Sequence, residues 1–212
     1  MVLIHETGVR LPVALLVRFI VICLSFLLFF ATSISPAGAD DFRFEQMSQG
    51  RVDEALARIV PIRLLPSNPF YFAISIKENL AGMLKPSSLR KADWNFELSG
   101  KRLKEAYLLL ARDDFKNASA ALNGYAKFSE KTVGELKAAK SINQDVGTEA
   151  AIIDQGLESH LVLFSAIENK IGVEGLDYSI DENFSAAYAG FGQMVNSIDQ
   201  IRPGIRDKFL LK

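Results

Sequence analysis

The chain has 212 residues, 49% of them hydrophobic, with 24 lysines and arginines against 25 aspartates and glutamates. That balance belongs to a globular chain rather than a disordered or collagenous one, and a net charge of −1 gives no electrostatic footprint for nucleic acid. One cysteine, Cys23, supplies no disulfide framework, so stability has to come from packing.

Residues 1–39 read as a delivery segment. Arg10 and Arg18 provide positive charge, Phe19 to Ala31 is apolar or small apart from Ser25, and Ser33-Ile34-Ser35-Pro36 ends the helix. Ala37-Gly38-Ala39 then offers small residues where a signal peptidase reads them, so cleavage would leave Asp40 as the new terminus. The competing reading is an uncleaved anchor over residues 11–31, with Arg18 snorkelling; in that case the membrane is met only through this N-terminal segment. Cys23 follows Ile20-Val21-Ile22 without the small residue of a lipidation site. Either way the positive-inside rule places residues 40–212 outside the cytoplasm, periplasmic or secreted, or membrane-anchored if residues 11–31 remain.

Residues 40–63 form an N-terminal segment. Val52, Ala55, Leu56 and Ile59 recur at helical spacing within Arg51 to Val60, and Pro61 stops that short helix. Residues 64–212 read as a helical domain. Pro66 and Pro69 fix a turn in which Ser67 or Asn68 can cap a helix over Phe70 to Leu84, whose Phe70, Tyr71 and Phe72 are expected in the core. Ser87 caps the next helix, and Leu89, Ala92, Phe96, Ser99, Gly100, Leu103, Ala106, Tyr107 and Leu110 mark one stripe along it. Glu97 with Lys101 and Lys101 with Glu105 stand at i,i+4 spacing on another face, which reads as a solvated side.

Asp113-Asp114 breaks the pattern and offers a cap. Phe115, Ala118, Leu122, Tyr125, Ala126, Ser129, Val133 and Leu136 then make a second stripe, so Leu89–Ala111 and Phe115–Lys140 are expected to form an αα-hairpin. After a linker at 141–148, Glu149 to Ile171 is apolar around so much of its circumference that it should be covered on two sides. Gly172 to Asp181 reads as a loop and Glu182 to Ile201 as a last long helix. No stretch alternates with period two. The predicted fold is all-α, an antiparallel bundle built on the long hairpin.

Leu65-Pro66-Ser67-Asn68-Pro69-Phe70-Tyr71, followed by Lys77-Glu78 and by Arg102-Leu103 with Glu105-Ala106, resembles a bacterial extracytoplasmic domain family of unknown function. Its members open on a proline, small, proline, aromatic, tyrosine segment and continue through an Arg-Leu-x-Glu-Ala helix. The likeness covers about residues 64–140 and implies a location and a helical fold, with no activity. Ile74 stands where the family commonly has lysine, and Lys77 follows one turn later.

Chemistry is sparse. His160 is the one histidine beyond residue 39, and it lies among Leu157, Leu161 and Phe164, where a packed histidine is the expected outcome. Asp177-x-Ser179-x-Asp181 begins like a calcium loop but has Glu182 at the glycine position and Tyr188 in place of the bidentate glutamate. No catalytic residue, metal ligand or cofactor site is assigned. The expected role is an exported non-enzymatic module serving an unidentified cell-envelope protein partner, with no nucleic acid. Its candidate interaction surface lies where the proline-bracketed segment crosses the hairpin, near Tyr71, Lys77, Arg102 and Glu105. The alternative is a small-molecule or lipid binder with a pocket among Trp94, Tyr107, Tyr125, Phe164 and Tyr188. An enzyme using Glu97 and Glu105 ranks third, because both look like surface charges.

Overall fold

The computed structural model describes residues 47–174 and 178–209, all within one compact unit that spans residues 40–212. The delivery segment and Asp177 lie outside the described residues. Seven helices and no strand occur among them: α1 (Gln49–Arg58), α2 (Tyr71–Met83), α3 (Ser88–Leu110), α4 (Phe115–Ser141), α5 (Gly147–Glu174), α6 (Tyr178–Asp199) and α7 (Arg206–Phe209).

The ends of the helices follow local chemistry. Ser87 Oγ accepts from Arg90 N at 3.3 Å and Asp114 Oδ1 from Asn117 N at 3.3 Å, each supplying one of the acceptors that a helix start requires. Asn68 Oδ1 takes Phe70 N at 2.9 Å ahead of α2, closing the turn between the two prolines. At the C-terminus of α1, Lys104 reaches over from α3 and donates to the carbonyls of Leu56 (2.6 Å) and Ile59 (3.2 Å), placing a cation at the negative end of the helix dipole.

Helices α3 and α4 make the most extensive packing, with α4 also against α6, and α5 against α1, α3 and α6. The expected two-sided cover of α5 is therefore exceeded. By length and composition residues 147–172 could cross a membrane, yet 61% of their most apolar window is buried in the bundle. Phe164 of α5 sits at the centre, with ring centroids 5.0 Å from Tyr125, 5.5 Å from Tyr188 and 5.7 Å from Phe191. Such ring pairs each add about 0.5–1.5 kcal/mol beyond their buried area. The long loop expected at 172–181 shrinks to a few residues, because α5 runs to Glu174 and α6 starts at Tyr178.

Helix α2 departs from the expectation. It packs thinly, against α3, and its one buried residue is Glu78. Phe70 and Phe72, expected in the core, are 69% and 62% exposed, and Ile76, Leu80, Met83 and Leu84 are between 54% and 82% exposed. At about 100° per residue, Tyr71, Glu78 and Gly82 share one side of this helix, and Phe72, Ile76, Leu80 and Met83 share the opposite one. The helix thus lies with Glu78 inward and its apolar stripe outward.

Candidate functional site

What turns α2 over is the face of α3 beneath it. Leu98, Lys101, Arg102, Glu105 and Leu109 are all buried, at i, i+3, i+4, i+7 and i+11, so α3 carries a second inward stripe besides the one through Leu103. Its middle is charged. The solvated face expected from the Lys101 and Glu105 pair is therefore corrected: Glu105 is fully covered, and Lys101 and Arg102 are 7% and 8% exposed. Glu97 does stay at the surface.

Within this stripe α3 contributes two cations and one carboxylate, an imbalance that cannot be buried without a partner. Glu78 supplies the missing charge. Its two carboxylate oxygens accept from Lys101 Nζ and from Arg102 Nη2. Arg102 Nη1 donates to Glu105 Oε2 at 2.7 Å and also meets the Tyr71 hydroxyl, while Lys101 Nζ stands 3.7 Å from Glu105 Oε1. The Tyr71 hydroxyl donates to Glu105 at 2.8 and 3.0 Å. The guanidinium lies 5.4 Å from the Tyr71 ring centre and 5.7 Å from that of Phe128. Gly124 of α4 makes room for it, since a Cβ there would come within 3.2 Å of the Arg102 Cγ and Cδ atoms.

Trp94 adds a further tie, its indole N–H donating to the Glu78 carbonyl at 3.3 Å, with Lys85 4.6 Å above the ring. A groove of about 590 Å³ runs beside the cluster, bordered by Gly82, Met83, Trp94, Phe128 and Lys131. Burial pushes the Glu105 carboxyl up to about 7, the Arg102 and Lys101 charges opposing it.

Of the four residues expected to form a surface, Tyr71, Arg102 and Glu105 meet here, but with Arg102 and Glu105 buried and Tyr71 half-buried over them. Lys77 does not join them; it is exposed beside the apolar stripe. Glu78 and Lys101 are the members that sequence reasoning missed. The expected aromatic pocket is filled, since the Phe164 ring packs against both Tyr125 and Tyr188, Tyr107 is half-buried under Lys170, and Trp94 faces the groove.

His160 is buried as expected. The Tyr125 hydroxyl stands 3.1 Å from Nδ1, and burial lifts the Tyr125 pKa well above its ordinary value, so the phenol keeps its proton. Burial also pushes the imidazole down to about 3. His160 is thus neutral, stacked on Phe96 at 4.8 Å, at the floor of a cleft of about 540 Å³ between α3 and α5.

No family model matches this chain, and neither a curated protein nor a solved structure is similar to it. The geometry therefore carries the functional argument. All four charges of the cluster are engaged with one another beneath α2, which makes the cluster a positioning device. Among the described residues no group of three or more histidine, cysteine or acidic side chains is placed to hold a metal ion.

Proposed function

We propose that the chain is an exported, non-enzymatic helical module of the bacterial cell envelope, an antiparallel bundle on the α3–α4 hairpin, which acts by presenting the outer face of α2 to a partner. The observation that carries this reading is the inversion of α2: Glu78 is its one buried residue, while Phe72, Ile76, Leu80 and Met83 face water. Monomeric proteins seldom leave a contiguous apolar stripe uncovered unless something docks on it. The delivery segment and the likeness of residues 64–140 to an extracytoplasmic family support the location.

A photo-cross-linking residue placed at Ile76, compared in cells with one at Lys127 on the exposed side of α4, tests this. Adducts confined to position 76 are expected. Equal or absent adducts at the two positions would dispose of the reading.

A second reading, a small-molecule binder, is favoured by the cleft over His160 rather than by the expected aromatic pocket. It predicts a rise in melting temperature with a ligand from a metabolite library, abolished by obstructing the cleft through Ile152→Trp at its exposed rim; a flat response across the library would count against it.

A further inference from the structure

Resting on the reading of the His160 cleft as a small-molecule site, we infer that its ligand is an organic cation, a protonated amine on a small apolar body that carries a second polar group. At the floor, His160 is 2% exposed, and its two nitrogens meet different surroundings. Nδ1 faces the Tyr125 hydroxyl in the core, whereas Nε2 has no hydrogen-bond partner among the described residues and is not sealed from solvent. Buried polar atoms are nearly always paired, so an unpaired one at the bottom of a cleft is a place for a ligand atom. Two glycines keep this floor open. A Cβ at Gly100 would lie 2.6 Å from Nε2, and one at Gly156 2.5 Å from Cε1 of Phe96, the ring stacked on the imidazole.

The walls decide the charge. Asp93 and Glu97 on α3 and Glu158 on α5 line the cleft against one base, Arg58, which donates to Glu54 at 2.7 Å. Among the described residues none of these three acids makes an ion pair or a side-chain hydrogen bond. Partial burial, and after it the Asp93 charge, hold the Glu97 carboxyl above its ordinary range, with Lys85 opposing. Two carboxylates one turn apart on α3 therefore share a wall with no cation between them. A cationic ligand relieves that repulsion, and an anionic one adds to it.

The rest of the lining selects an organic cation over a metal ion. The described residues place no group of three or more histidine, cysteine or acidic side chains to hold a metal. At the rim, Val60 and Ile152 are 39% and 49% exposed and offer apolar surface, and about 540 Å³ is room for a small molecule. A hydroxyl is the group best suited to Nε2, since it both donates and accepts and so serves either tautomer of the neutral ring.

The test titrates the whole protein with tyramine, tyrosol and 3-(4-hydroxyphenyl)propionate, which share a phenol body and differ in the charge at the other end. Tyramine is expected to bind roughly tenfold more tightly than the other two and to shift the nitrogen NMR resonance of His160 Nε2. Its binding should weaken roughly tenfold in Asp93→Asn/Glu97→Gln, a variant that melts like the parent, and be lost in Ile152→Trp. Equal binding of the three probes, tighter binding of the alcohol or the acid, or tyramine binding indifferent to the carboxylate variant would overturn the cationic ligand and leave the cleft standing as a site. Failure of tyramine to bind would also overturn it. In that case a library ligand whose stabilisation is lost in Ile152→Trp would show that the cleft reading survives, and a flat response across the library would sink both.

Discussion

The Glu105 carboxyl and the His160 imidazole are both buried, and they tie stability to pH in opposite senses. Glu105 titrates near 7 in the folded chain against 4.5 when free. Between these values the folded state holds a proton that the unfolded state has released, so stability falls as pH rises through this window and levels off above it. His160 titrates near 3 against 6.5. Here the unfolded state takes the proton first, so the contribution is complete above 6.5 and is lost as pH falls toward 3. Each slope is about 1.4 kcal/mol per pH unit, and they offset one another between 4.5 and 6.5. Urea midpoints measured against pH should therefore show a maximum in that interval. Glu105→Gln should remove the decline toward pH 7 and His160→Gln the decline toward pH 3; unchanged limbs in these variants would show that other groups set them. Gly100 has a steric role beside the same histidine, since a Cβ there would lie 2.6 Å from His160 Nε2. Gly100→Ala should cost about 1–3 kcal/mol in a denaturation curve, the usual range for overpacking a filled core.

At the scale of the helix, caps and apolar period were legible and orientation was not. Ser87 and Asp114 cap as their positions suggest, and the stripes through Leu103 and Leu122 are buried. Asp114→Ala should accordingly lower stability by about 0.5–2 kcal/mol without moving the start of α4, as thermal melts and amide chemical shifts can establish. The charged face of α3, and with it the side that α2 turns inward, was misread because the Lys101 and Glu105 pair at i,i+4 looks the same in a sequence whether water or another helix covers it. The pairing of Glu78 with Lys101 spans 23 residues, so no local spacing announces it. A signal did exist in α3, where Leu98 and Leu109 bracket Lys101, Arg102 and Glu105 on one line at helical period. Apolar residues at both ends of a charged row indicate a covered row, and Glu78 is the one acid in the sequence between Val60 and Lys91.

For the molecule as a whole, the bundle and α2 are stabilised by different means. The core is apolar and aromatic, with Phe164 in contact with rings from α4 and α6, so Phe164→Ala should lower the global unfolding free energy by about 3–5 kcal/mol. Helix α2 adds little to that core. It is held by ion pairs and by Tyr71 and Trp94, and the desolvation of those charges is tolerated because each has its partner. Its opening is thus a local event that can occur while the remaining helices stay closed. The direct test is amide hydrogen exchange across residues 74–84 in three proteins: the parent, Glu78→Gln and Ile76→Ser/Leu80→Ser. Loss of one partner from a buried pair should speed exchange in α2 by roughly a hundredfold in Glu78→Gln, with α3 to α6 unchanged, while the exposed apolar substitutions leave α2 as protected as in the parent. Fast exchange in the apolar variant together with parent-like protection in Glu78→Gln would contradict the account, because α2 would then be held by its apolar stripe and not by the buried charges.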